Sequence, residues 1–257
     1  MTIPRHLYKY RSLSTKKDKE DQKTIREYTS RILTHNEIYF AKPSEFNDPF
    51  DCGFHISCEG DFQTHKNKLK ELNPTSSEKE IDDVARKQLE PDFIKKTEQE
   101  FNETIRLETE KCGIFTMSAK RDNLLMWPHY ADYHRGICLE FKTTDGKLFG
   151  CDLLEVHYQR PYLNLSLYDK LDLDWIRKYL STKSEDWLYE EEWRITYIKT
   201  GLQLYPPEEL SGVILGACIS NEDRELVLKW ISERNCKPKL YRAKPFKDRF
   251  GLDIKPL

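Results

Sequence analysis

Apolar residues in this chain recur with two periods, and each change of period marks a new element. Leu7-Tyr8-Lys9-Tyr10 reads as a short first strand. Residues 21 to 34 carry Ile25, Tyr28, Ile32 and Leu33 at helical spacing, and Glu37 to Ala41 returns to strand character. Lys42 to Asp51 is loop-forming, with Pro43 and Pro49 bracketing an Asn47-Asp48 pair that favours turns. From 62 to 111 the chain is dense in charge, with a sparse helical period through Ile81, Val84, Leu89, Phe93, Ile94, Phe101 and Ile105. Pro91 is placed to open a helix there. This stretch is expected to be a helical insertion with a solvated face, inside a single domain spanning 1–257.

Strand signals resume at Gly113–Ser118. Leu124-Leu125-Met126-Trp127 is apolar and helical in pattern, with Asp122 as its expected cap and Pro128 limiting its length. Further strands are expected at 135–141 and 153–158, then a short amphipathic helix over Leu173 to Leu180. Residues 187 to 197, Trp-Leu-Tyr-Glu-Glu-Glu-Trp-Arg-Ile-Thr-Tyr, predict another strand. Its alternation puts Glu190, Glu192 and Arg194 on one face. Near the C-terminus come a buried strand over 212–217, a helix capped by Ser220 with Asp223 in a capping box, and a final strand over 238–243.

Composition narrows the classes. With 42 basic and 44 acidic residues, the net charge of −2 gives no global field for nucleic acid or an anionic membrane, although a local basic patch is compatible with it. No apolar run reaches the length of a membrane span, and the start, MTIPRHLYKY, lacks a secretory apolar core. The seven cysteines form no CxxC pair and mostly read as buried free thiols, so a reducing cytoplasm is expected.

No Walker loop, Gly-x-Gly-x-x-Gly or Gly-x-Ser-x-Gly elbow is present. His129 and His134 are five apart, a poor spacing for two ligands on one helix face, and no metal is expected. The acids at 190 and 192 would suit Mg²⁺ in a nuclease, but no third ligand or lysine partner is evident near them. Four polar clusters remain against strand signals: Tyr8 to Ser12, Asn47-Asp48, Ser118 with Trp127, His129, Tyr130 and His134, and Glu190-Glu192-Arg194. Brought together, they would form an aromatic-walled nucleotide pocket. The plainer alternative has Asn47 and Asp48 locking a turn while Trp127 and His134 cement packing.

Leu7-Tyr8-Lys9-Tyr10-Arg11, Pro43 to Phe50, Met126-Trp127-Pro128-His129-Tyr130, His134-Arg135-Gly136 and Tyr189 to Arg194 together resemble a bacterial domain-of-unknown-function family, numbered 2971. The resemblance runs in order over nearly the whole chain. Pro128 stands where that family more often has a small polar residue. The family's name itself supplies no activity.

The order of parts is also similar to the ADP-ribosyltransferase superfamily, including its DNA-modifying toxin branch. In those folds a first strand reads roughly Leu-Tyr-His-x-Thr, and a late strand carries Glu-x-Glu or a single catalytic Glu. Lys9 stands where a histidine is common. This resemblance implies an α+β fold: a split, mainly antiparallel sheet with flanking helices and the 62–111 insertion at one edge. It further implies NAD as substrate. Glu192 would stabilise the cation-like ribose, and Glu190 would hold the acceptor or a ribose hydroxyl. Arg11 would suit the pyrophosphate, and Tyr8 and Tyr10 would flank nicotinamide and ribose. Lys9, Asn47, Asp48, Ser118, Trp127, His129, Tyr130, His134 and Arg194 would complete the cleft. The acceptor would be a protein, a nucleic acid or a small molecule, in a toxin or antiphage setting. The competing expectation is a non-catalytic nucleotide-sensing or partner-binding module of a defence or stress system.

Overall fold

The structure is a computed structural model that describes residues 2–16, 24–57, 60–166, 168 and 172–257. Residues 21–23 of the expected first helix and Cys58 lie outside the described residues; the helix itself is Ile25–Thr34.

An eight-stranded sheet organises the molecule. From edge to edge its strands are Leu252–Pro256, Lys239–Pro245, Leu210–Leu215, Ile137–Lys142, His6–Arg11, Gly113–Ser118, Glu192–Tyr197 and Leu154–Glu155. Neighbours run antiparallel, except that Leu210–Leu215 and Lys239–Pro245 are parallel. With helices on its flanks the fold is α+β.

Both faces of the central strands are buried, which explains the near-continuous apolar run of Ile137 to Phe141. Leu7, Leu139, Phe141, Val213 and Leu215 pack on one side with Ile32, Leu33, Val227 and Ile231 of the helices Ile25–Thr34 and Asn221–Ser232. Tyr8, Tyr10, Cys138 and Ile214 pack on the other side against Met126, Trp127 and Ala131.

The middle of the sheet is uneven. His6–Arg11 pairs with Ile137–Lys142 along its whole length, but meets Gly113–Ser118 at one pair, Tyr8 with Ser118. Beyond that pair Lys9 fills the space between the strands. Its Nζ donates to the carbonyl oxygen of Thr116 at 2.7 Å and to the Thr116 hydroxyl at 2.9 Å. The Nζ also lies 4.9 Å from the centre of the Phe115 ring.

The 62–111 stretch forms three helices, Phe62–Leu72, Glu78–Lys87 and Pro91–Thr109, with Pro91 in the first turn of the third. Leu69, Ile81 and Ala85 make a small cluster of their own, while Ile105 joins the Leu163, Tyr179 and Leu180 cluster. Among the described residues no helix is long and apolar enough to cross a membrane.

Several local expectations are corrected. The strand expected over 187–197 begins only at Glu192: Glu185–Glu190 is a 3-10 helix, and Glu191 turns the chain in the left-handed region at φ 43°. Asp122 does not cap the short helix Met126–Tyr130, whose N-cap position is Leu125; the turn before it is held by Asn123, its Oδ1 accepting from the amides of Leu125 and Met126. Ser220 caps its helix as expected, but the Asp223 carboxylate binds Arg26 at 2.7 Å instead of closing a box. The expected strand at 153–158 is two short strands, Leu154–Glu155 and His157–Gln159. The last strand is not final, because the chain turns after Pro245 and returns as Leu252–Pro256. Of the described cysteines only Cys52 and Cys138 are buried, while Cys218 and Cys236 are exposed.

Candidate functional site

Five charged side chains converge where the strand Glu192–Tyr197 begins. Arg194, fully buried, donates from Nε to Glu192 Oε1 at 2.7 Å and from one terminal nitrogen to both Asp51 oxygens at 2.8 Å. Its other terminal nitrogen reaches the Leu180 carbonyl at 2.9 Å. Lys183 Nζ donates to Glu190 Oε2 at 2.6 Å and to Glu192 Oε2 at 2.8 Å, and lies 3.4 Å from Asp51. Tyr130 donates to Glu190 Oε1 at 2.5 Å, and the Ser118 hydroxyl donates to the Glu190 carbonyl at 2.6 Å.

Local structure delivers each group. Glu192 and Arg194 share a strand face. Glu190 ends the 3-10 turn, and Glu191 in the left-handed region lets the next residue re-enter the sheet. Lys183 comes from the short strand Thr182–Ser184, paired with His157–Gln159. Asp51 follows the Pro43 to Phe50 loop, whose Phe46 ring lies 5.4 Å from the Arg194 guanidinium.

Burying charge is costly unless it is paired and hydrogen-bonded. Here it is paired, but unevenly. Asp51, Glu190 and Glu192 face Lys183 and Arg194, so full ionisation leaves one unbalanced negative charge. Burial pushes the Glu192 carboxyl up, but Arg194 and Lys183 outweigh it and hold its pKa at about 2. Glu190 has only Lys183 as a cationic partner, and burial raises its pKa. It is therefore more ready than Glu192 to take a proton. Burial and then Arg11 pull the Lys9 pKa down to about 7. Burial and Glu140 push the Tyr8 hydroxyl up to about 12.

A pocket of about 80 Å³ opens onto this cluster. Tyr8, Lys9, Tyr10, Asn47, Ser118, Tyr130, Glu190 and Glu192 all line it, so eight of the residues expected from sequence share one site. The others do not line it. Asp48 is buried and its Oδ1 accepts from the Phe50 amide, which is a turn lock. Trp127 is fully buried, with its ring nitrogen donating to the Arg121 carbonyl. His129 stacks on Tyr189, and neither lines the pocket. His134 stacks on Trp127 and lines a different groove. Arg11 turns toward Thr29, its Nε 3.3 Å from that hydroxyl. Arg194 spends its nitrogens inside the cluster, with no exposed donor for a phosphate.

The His134-Arg135-Gly136 phrase has a backbone explanation. A Cβ on Gly136 would meet the Arg11 carbonyl oxygen at 2.2 Å, and one on Gly216 would meet the His134 carbonyl oxygen at 2.2 Å. Close strand-end packing therefore excludes a side chain at either glycine.

Lys183 and Asp51 were missed from sequence. The expectation that the acids lack a nearby lysine is overturned by Lys183, seven residues before Glu190. Its signal was a lone lysine in a polar run, which by itself looks solvated. Among the described residues no group of three or more His, Cys, Asp or Glu is placed to hold a metal ion. The cations occupy the space between the carboxylates.

Residues 126–195 match the family described as "Protein of unknown function (DUF2971)", which supports the resemblance to that family. The matched span holds Tyr130, Lys183, Glu190, Glu192 and Arg194, but not Lys9 or Asp51. No curated protein and no solved structure matches the chain.

Proposed function

We propose that the chain binds the nicotinamide end of NAD in the Glu190–Lys183–Glu192 pocket and transfers ADP-ribose to a macromolecular acceptor. The observation that carries this reading is one pocket whose lining combines tyrosines with buried carboxylates, in a cluster where the acids outnumber the cations. A pyridinium ring is cationic and aromatic, so it gains from both features. Beside the pocket the first strand meets Gly113–Ser118 at a single pair, in keeping with a split sheet.

In the reaction the bond between the nicotinamide nitrogen and the ribose carbon breaks. Its electron pair leaves with nicotinamide, which becomes neutral. Positive charge passes to the ribose, and the fixed negative charge held by Glu192 in its ion-pair cage stabilises it. The acceptor forms the new bond to the ribose carbon and gives up a proton. Glu190, with its raised pKa, is suited to take that proton. A pocket of about 80 Å³ admits a compact group and not a whole dinucleotide, so the rest of NAD lies outside it. Sequence assigned the pyrophosphate to Arg11, whose place beside Thr29 does not support that role.

The test is release of free nicotinamide from NAD by the purified chain, with and without protein and oligonucleotide acceptors. Wild type should release it, and Glu190→Gln should lose about 10²–10⁴-fold in the rate of transfer to the acceptor, as loss of a general base does. The absence of both NAD binding and nicotinamide release, with every acceptor, would overturn the proposal.

One observation favours a second reading, a non-catalytic nucleotide-sensing module. Both Glu192 oxygens are already held by cations, as a rigid binding site would have them. Such a module would keep its biological effect in Glu192→Gln, whereas a transferase would lose it.

A further inference from the structure

We propose that the groove at the turn between the last two strands binds single-stranded nucleic acid, with Phe250 as a stacking platform and Lys247 and Arg249 as phosphate contacts. Charge is segregated along the chain. Residues 237–257 hold seven Lys and Arg against two Asp, a local +5 in a chain whose total is −2. Lys239, Lys244, Lys247 and Arg249 are exposed, and no acid lies within ion-pair distance of them among the described residues.

Lysine on an edge strand has a plain explanation, since it discourages edge-to-edge pairing. That explains Lys255, which also binds Asp253 at 2.9 Å. It does not explain the turn. There the Phe250 side chain is 99 % exposed, a large apolar ring left in water with no packing return. The Arg249 guanidinium carbon lies over the Phe246 ring, 3.9 Å from its centre, a cation–π contact.

These residues, with Leu124 and His134, line a groove of about 530 Å³. Asp248 is the one acidic side chain lining it. Aromatic faces for bases and a cationic rim for the backbone are the two parts of a sequence-tolerant single-strand site. A duplex keeps its bases stacked and offers Phe250 nothing, which is why single strands are favoured. The groove is distinct from the acidic pocket: the two share no lining residue, with Met126 lining one and Leu124 the other.

The test is fluorescence anisotropy of the full chain with a labelled mixed-sequence oligonucleotide, as DNA and as RNA, over a salt series. Phe250, Lys247 and Arg249 are exposed, so their alanine variants should fold. Phe250→Ala should weaken binding about tenfold with the salt slope unchanged. The pair Lys247→Ala and Arg249→Ala should reduce that slope by about 1.4. The DNA and RNA arms identify which strand the groove prefers, and tight binding of either sustains the proposal. Unchanged affinity in all variants overturns it. So does binding of polyglutamate or anionic vesicles as tight as binding of the oligonucleotide, or no oligonucleotide binding at low salt.

Discussion

The acidic pocket and the C-terminal turn belong to one sheet and handle charge in opposite ways. In the pocket, Asp51, Lys183, Glu190, Glu192 and Arg194 are buried and satisfy one another. At the turn, Lys247 and Arg249 stand in water beside a bare phenylalanine. Charge spent internally holds the fold and leaves only its imbalance for a ligand. Charge left unsatisfied contributes little to the fold and is free for a partner. Mutations in the first region should therefore cost stability before anything else, and mutations in the second should cost binding alone.

The sharpest way to break the comparison is Arg194→Met. It strands Asp51 and Glu192 without their main partner, and removing one member of a buried ion pair costs about 3–5 kcal/mol. The urea midpoint should fall accordingly. A shift under about 1 kcal/mol would mean the cluster is not holding the fold.

Acid should attack the same region. The folded pKa of Glu192, about 2, lies below its ordinary 4.5. Its stabilising contribution is thus full above about pH 4.5 and is lost as pH falls toward 2. Glu190 is shifted upward, so its contribution has the opposite sign and partly offsets the loss. Stability measured against pH in urea should decline through this window in wild type and flatten in Glu192→Gln.

Lys9 gives a smaller effect, on binding. Its folded pKa of about 7 is below the ordinary 10.5, so the group is neutral above pH 7 and cationic below it. N-methylnicotinamide, a permanent cation, should bind about tenfold tighter above pH 7 than well below it, the worth of removing one nearby like charge. Lys9→Met should abolish the step in a titration series. A wild-type affinity flat across pH 7 would remove Lys9 from the pocket's electrostatics.

The smallest effect completes the contrast. Phe250→Ala should change the thermal midpoint by no more than about 0.5 kcal/mol allows, since the ring packs on nothing. A larger loss would show that the turn supports the fold after all.

Sequence disclosed one half of the acidic site well. Glu192 and Arg194 follow strand alternation, and aromatic neighbours marked that strand from Trp193 onward. The same aromatic richness misled upstream, where Trp187 and Tyr189 favoured a strand but the chain makes a 3-10 turn. A left-handed Glu191 has no sequence signature of the kind glycine gives. Lys183 and Asp51 were hidden because their role depends on tertiary contacts 132 residues apart in the chain, as numbered in the Lys183–Asp51 pair. The helical character of 62–111 was legible from its period and from Pro91, but its division into three helices was not. The last hairpin was not, because Phe246 to Gly251 carries charge where a two-residue turn signal would be sought.

The central claim is that the acidic pocket reads the cationic ring of NAD. Calorimetric titration of wild-type chain with NAD and, separately, with ADP-ribose above pH 7 tests it most directly, because the two ligands differ by that ring. NAD should bind at least about tenfold tighter, with the preference lost in Glu190→Gln. Equal affinity for the two ligands, tighter binding of ADP-ribose, or no binding of either would contradict it.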